Sequence, residues 1–169
     1  MASSDDHSTA EAAPSFARIV IQTPISVIVP TYKEVENIPH LIERVRRLRE
    51  AEAIEIELLF MDDMSRDGSV ETVASSGQPW VRIIERKGER GLSPAVIDGF
   101  RAARHPVLVC MDCDLSHPPE KIPQMILALA SGVPATPTSL VEDGPELLCQ
   151  EILAVIKSEC FLNEEERKN

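Results

Sequence analysis

The chain has 169 residues, with 17 Lys+Arg against 28 Asp+Glu, a formal net charge of −11, 43% hydrophobic and 27% charged residues. That is the size and makeup of one globular domain. No apolar run approaches the roughly 18 residues of a membrane span, the first 24 residues lack the basic start and apolar core of a signal peptide, and the acidic balance argues against a basic face for nucleic acid.

Residues 1–23 are rich in Ser, Ala, Asp and Glu without periodicity, and read as a disordered leader. From Ile25 short apolar runs alternate with helical stretches. Ile25–Val29 reads as a buried strand stopping at Pro30, and Asn37 to about Ala51 as a helix with Ile38, Leu41, Ile42, Val45 and Leu48 on one stripe. Ile56–Met61 reads as a second strand ending in Asp62-Asp63, and Asp67-Gly68-Ser69 opens a short helix over Val70–Ser75. Val81–Ile84 is a third strand. Ser93 is expected to cap a helix to about Ala103 with Pro94 at its first position, followed by a fourth strand over Val107–Met111 and a helix from about Pro119 to Ala130.

Alternating strands and helices predict an α/β fold with a parallel sheet and right-handed crossovers. In such sheets ligands sit beyond the carboxyl ends of the strands. The residues there are Pro30-Thr-Tyr-Lys-Glu34, Asp62-Asp63, Arg86 and Asp112-Cys-Asp114, an edge of acidic and hydrogen-bonding groups. Asp112 and Asp114, two apart past a strand end, suit a hard cation such as Mg²⁺ or Mn²⁺ completed by phosphate oxygens; the plain alternative is a pair of solvated turn carboxylates. Cys110 and Cys113 form a CxxC with neither a second CxxC nor a His cluster to complete zinc, so all four cysteines, Cys149 and Cys160 included, read as thiols of a reducing compartment.

Other polar groups keep two readings. His117 is a metal ligand or a loop polar group, and Arg86 pairs with a phosphate or with Glu85 or Glu89 on the surface. The run Arg44-Val-Arg-Arg-Leu-Arg49 is a solvated helix face or a contact for anionic lipid. Gly91 and Gly99 read as backbone devices, since no phosphate-cradling GxGxxG or GxxxxGK occurs, and Trp80 as packing at a strand start.

Four ordered motifs carry a family resemblance. Pro30-Thr-Tyr-Lys-Glu-Val-Glu-Asn37 resembles the first-strand motif of family-2 inverting glycosyltransferases, with Lys33 where Asn is usual. Met61-Asp-Asp-Met-Ser-Arg-Asp-Gly-Ser69 resembles the second, Arg86 with Gly91–Gly99 the third, and Met111-Asp-Cys-Asp-Leu-Ser-His-Pro-Pro-Glu120 the fourth, in the extended form of polyprenol- and dolichol-phosphate mannosyltransferases. The resemblance covers about Ile25–Gly132 and implies the nucleotide-sugar-binding half of a GT-A fold. It implies GDP-mannose as donor, with a UDP-sugar as competitor, a polyprenyl phosphate as acceptor, and a location in the cytoplasm or peripheral on the cytoplasmic face of a membrane. Pro30, Tyr32 and Glu34 would contact the nucleoside, Asp62 or Asp63 the base or ribose, Arg86 the phosphates, and Asp112, Asp114 and Ser116 a divalent cation (Mg or Mn).

Past Gly132 that pattern stops. Val133–Thr138 reads as a loop, and about Pro145–Glu166 as an acidic amphipathic helix with Leu148, Ile152, Val155 and Ile156 on one face. That helix is expected to dock on the sheet or to bind a protein partner. Without the acceptor half, the chain reads as a mannosyltransferase or as a catalytically inactive fragment that binds nucleotide-sugar or serves as an interaction protein.

Overall fold

The computed structural model describes residues 23–130 and 153–156. Five strands, β1 (Ile25–Thr31), β2 (Ile56–Asp62), β3 (Val81–Glu85), β4 (Val107–Cys110) and β5 (Leu153–Ile156), form one sheet in the order β3-β2-β1-β4-β5. The first four are mutually parallel, whereas β5 lies antiparallel to β4, Cys110 opposite Leu153. Helices α1 (Ile38–Glu52), α2 (Ser69–Ser75) and α3 (Leu92–Ala102) make the crossovers, and a 3₁₀ turn at Pro119–Lys121 leads into α4 (Ile122–Ala130).

Strands β1, β2 and β4 are buried along nearly their whole length, as a sheet covered on both sides requires. Val27, Val29, Leu58, Phe60 and Val109 pack with Ile38, Leu41 and Val45 of α1 and Met125 of α4. Ile28, Leu59, Met61 and Leu108 point the other way, against Ala95 of α3. Gly99 lets α3 sit close on that face: an added Cβ would collide with Ile28 Cγ2 and lie 3.1 Å from Met61 Cγ. The stripe expected on α1 is the buried one, and its arginines are engaged: Arg44 pairs with Glu120, Arg46 with Glu43 and Glu50, and Arg47 with Glu43. Arg49 lies 4.8 Å over the Trp80 ring.

Three expectations change. Strand β1 does not stop at Pro30 but runs to Thr31, paired with β2 through Pro30 opposite Met61. Pairing with β4 ends earlier, where Met111 N–H donates to Ile28 O at 3.1 Å. The next donor toward β4 would be the N–H that Pro30 lacks, so the two strands part there. Helix α3 starts at Leu92, one residue before Ser93, behind Gly91 at φ 128°, ψ 163°, with no side-chain cap; the glycine adopts a backbone closed to other residues. Finally, Leu153–Ile156 is strand where the periodicity predicts helix, because this apolar run satisfies the open edge of β4. The rest of that expected helix, the loop at 133–138 and the leader up to residue 22 lie outside the described residues.

Candidate functional site

The chain leaves β1 for β2 on one side and returns from β3 to β4 on the other, so β1 and β4 flank the point where the winding reverses. Their carboxyl ends separate at Pro30, and beyond the ends of β1 and β2, against the start of α3, a cavity of about 420 Å³ is lined by Pro30, Thr31, Tyr32, Asp63, Arg90, Gly91, Leu92 and Ala95. A cleft at this place is where open α/β sheets take ligands. Tyr32 is half exposed, and its ring lies 5.3 Å from Lys33 Nζ and 5.8 Å from the Arg90 guanidinium carbon. In an acidic chain, this is a local cationic mouth beside an aromatic face.

Two loops frame the cavity. In the first, Lys33 takes a left-handed backbone (φ 60°) and its N–H donates to Ser65 Oγ at 2.8 Å. Val35 N–H donates to Asp67 Oδ2 at 3.2 Å, so the β1 and β2 loops are tied together. Glu34 faces its own helix: its carboxylate accepts from Asn37 Nδ2 at 2.6 Å and its carbonyl from Asn37 N–H at 2.9 Å.

The second loop, 86–91, is held by charge. Arg86 is 6% exposed, and its guanidinium donates to Asp63 Oδ1, to Asp98 Oδ2 at 3.0 Å and to the Glu89 carbonyl at 2.7 Å. Asp63 Oδ2 accepts from Gly91 N–H at 2.8 Å. Neither surface pairing expected for Arg86 involves a side chain here; Glu89 contributes only its carbonyl. The adjacent aspartates divide. Asp63 lines the cavity, while Asp62 is buried and accepts from the N–H and hydroxyl of Ser65. Asp62 instead borders a second hollow of about 360 Å³ with Arg66, Gly68 and Glu85.

Past β4, Asp112 is partly exposed and Asp114 exposed. Asp114 Oδ1 accepts from Ser116 N–H at 2.9 Å. The Ser116 hydroxyl first, and its N–H second, hold the Asp114 carboxyl below its ordinary range. Both thiols of the CxxC are buried, and burial pushes Cys113 up to about 12. Among the described residues no three His, Cys, Asp or Glu side chains gather to hold a metal ion. The donors at this turn are carboxylate oxygens with a serine hydroxyl beside them, which fits a hard cation that draws its remaining ligands from phosphate oxygens and water.

Among the described residues two buried side-chain polar atoms have no hydrogen-bond partner, Thr31 Oγ1 and His117 Nδ1. Both lie at the carboxyl edge of the sheet, Thr31 as the last residue of β1 and His117 in the loop after β4, and Thr31 lines the cavity. Buried polar groups are nearly always satisfied, so these two atoms stand out at this edge. Sequence reasoning did not single out Thr31, Arg90 or Leu92; the position of Thr31 as the residue after Pro30 at a strand end was the available signal.

Residues 26–146, more than half of the chain, match the model of Glycosyl transferase family 2. The chain belongs to glycosyl transferase family 2. The match runs past Gly132, where the motifs fade. Dolichol-phosphate mannosyltransferase of Saccharomyces cerevisiae is 51% identical over 107 residues, 62% of this chain and 40% of that protein. Those of Mycosarcoma maydis and Pyrococcus furiosus are 49% and 44% identical over 111 and 110 residues, covering 37% and 30% of their length. The chain thus spans well under half of these relatives. Among solved structures, a mannosyltransferase from Pyrobaculum calidifontis in complex with GDP-Man and Mn²⁺ superposes with a TM-score of 0.54 at 23% identity, over 64% of this chain and 33% of that one. Glucosyl-3-phosphoglycerate synthase from Mycobacterium tuberculosis, with Mn²⁺, UDP and glucosyl-3-phosphoglycerate, gives 0.55 at 20% identity over 68% and 43%. These likenesses show the fold: the family-2 domain here is the GT-A-like α/β architecture that the strand order describes.

Proposed function

We propose that this family-2 domain binds GDP-mannose in the cavity beyond the carboxyl ends of β1 and β2 and serves the donor side of mannosyl transfer to a polyprenyl phosphate. The observation that carries the reading is the cavity itself, placed beyond the carboxyl ends of the parallel strands and walled by Tyr32, Asp63 and the Arg90–Leu92 loop. The relatives named dolichol-phosphate mannosyltransferase support the sugar and the acceptor class.

Pro30, Tyr32 and Asp63 would contact the nucleoside, with the base against the Tyr32 ring. Lys33 and Arg90, flanking that ring, would draw the diphosphate to the mouth. Asp112 and Asp114, with the Ser116 hydroxyl, would hold Mg²⁺ or Mn²⁺, and the cation supplies charge neutralisation for the departing nucleoside diphosphate. An acceptor phosphate is already anionic near neutral pH, since its second pKa is about 6, so it needs positioning more than a general base. In-line attack inverts the anomeric centre. Glu34, Asp62 and Arg86 act in this scheme by holding the loops rather than by touching the donor.

Titration calorimetry with GDP and with UDP, each with Mn²⁺ and with EDTA, tests the reading. Binding of GDP over UDP, weakened by EDTA and by Asp114→Asn, is the expected outcome. A folded chain that binds neither nucleotide refutes it. Transfer from GDP-mannose to a polyprenyl phosphate, measured on the same preparation, separates a complete transferase from a domain that only binds donor.

A further inference from the structure

His117 is the residue at this edge that the reading above leaves unused. The turn that carries it is built to return the chain under Asp112. Asp114 accepts from Ser116 N–H, and Leu115 takes a left-handed backbone at φ 64°, which reverses the direction of the chain. Pro118 then restricts the backbone of His117 to extended conformations, and Pro119 begins the 3₁₀ turn that enters α4. The imidazole is thereby pressed inward: His117 is 4% exposed, and its Nδ1 is buried with no hydrogen-bond partner. That atom lies 3.7 Å from Asp112 Oδ2, while the Asp112 side chain is 39% exposed.

The asymmetry decides the role. Nδ1 is sealed from solvent, whereas the Asp112 carboxylate beside it is partly exposed. An N–H···O bond needs about 2.9 Å, so closing the 3.7 Å gap requires the partly exposed Asp112 side chain to move toward the buried His117. A buried donor without an acceptor is costly, so this edge gains whenever Asp112 turns inward onto it.

We propose that His117 is a positioning residue: its imidazole donates Nδ1–H to Asp112 Oδ2 and fixes the carboxylate whose other oxygen, with Asp114, faces a divalent cation. The inference rests on the reading of Asp112 and Asp114 as cation ligands and adds the group that orients one of them. Partners of this kind typically change metal affinity by about 10–100-fold when removed.

The test is an electron paramagnetic resonance titration of Mn²⁺ alone against the wild-type chain, Asp112→Asn, His117→Phe and His117→Asn, with thermal melting of each. His117→Phe is expected to weaken Mn²⁺ binding about tenfold. His117→Asn, whose amide N–H falls near the position of Nδ1, restores most of that loss, which a purely structural role would not produce. In the Asp112→Asn background His117→Phe has no further effect. Pulsed measurements on the wild-type complex show no ¹⁴N coupling, because the imidazole is not itself a ligand. If His117→Phe does not fold, ¹⁵N spectra of the wild-type imidazole carry the test: the neutral form bears its proton on Nδ1, and that proton shifts when Mg²⁺ is added. Equal Mn²⁺ affinity in a folded His117→Phe, a ¹⁴N coupling, or a proton on Nε2 overturns the positioning role and leaves the cation site standing. A wild-type chain that takes up no Mn²⁺, or an Asp112→Asn variant that binds as well as wild type, overturns the cation site and the positioning role together.

Discussion

Replacing Arg86 by Met tests whether the donor cavity depends on one buried charge cluster. Arg86 and Asp63 are 6% and 8% exposed, and the guanidinium links Asp63, Asp98 and the Glu89 carbonyl across 35 residues of sequence from Asp63 to Asp98. Methionine keeps the length and the apolar stem but removes every donor. Asp63 is then left buried with only Gly91 N–H as partner. Removing one member of a buried ion pair costs about 3–5 kcal/mol, mostly from the charge left behind, against a total stability of about 5–15 kcal/mol for a domain. At about 4 °C per kcal/mol for a domain near this size, the melting temperature falls by more than about 10 °C. Two companions separate charge from shape. Arg86→Lys keeps the charge but cannot span three acceptors with one ammonium, and is expected to lose less. Asp63→Asn combined with Arg86→Met removes the stranded carboxylate and recovers part of the loss, a coupling of at least about 1 kcal/mol. The assays are melting by circular dichroism and GDP titration, since the Arg90–Leu92 wall hangs on this clamp. A melting temperature within about 2 °C of wild type for Arg86→Met, or strictly additive single and double variants, refutes the reasoning.

Two further outcomes follow from the packing. Glu57 is 3% exposed and accepts from Ser26 Oγ at 2.7 Å, from Arg104 N–H at 2.9 Å and from Arg82. Burial pushes its carboxyl up, but the bonds from Ser26, Arg104 and Arg82 outweigh that and leave it below its ordinary value of 4.5. A group with a depressed folded pKa adds stability that is fully present above the unfolded value and is lost as pH falls through the folded one. Wild-type stability therefore drops below about pH 4.5 partly through Glu57, while Glu57→Gln is less stable at pH 7 by about 2–3 kcal/mol and declines less on acidification; parallel pH profiles for the two proteins would refute it. Gly99→Ala sets a methyl against Ile28 and Met61, both fully buried. Overpacking of about 3 kcal/mol exceeds the roughly 1 kcal/mol of helix propensity gained, so the melting temperature falls by several degrees; an unchanged or raised value would show that α3 can lift off the sheet freely.

Among the described residues no helix is long and apolar enough to cross a membrane. The arginines of α1, a candidate contact for anionic lipid by composition, are largely bound to Glu43, Glu50 and Glu120. Exposed pairs of this kind contribute little to stability, yet they remove the free cationic surface that a lipid contact needs. The solvated-face reading of that run is the one the ion pairs favour.

The alternation of apolar runs with amphipathic stretches was enough by itself to establish a parallel α/β sheet, the buried stripe Ile38–Leu48 of α1, and the strand ends that carry polar groups. Those features repeat along the chain at fixed periods, so local spacing reveals them. Tertiary structure alone decided the rest. Asp62 and Asp63 are neighbours in sequence, but only the fold sends one to Ser65 and the other to Arg86 and the cavity. Leu153–Ile156 satisfies a helical stripe and a short strand equally well, and the open edge of β4 chose the strand. His117 Nδ1 comes to 3.7 Å from Asp112 Oδ2 across a turn in which Leu115 takes a left-handed backbone. In each case the deciding partner is not written in the local pattern: an unsatisfied hydrogen-bonding group or buried charge takes whichever partner the packed chain brings within reach, and that is a property of the fold.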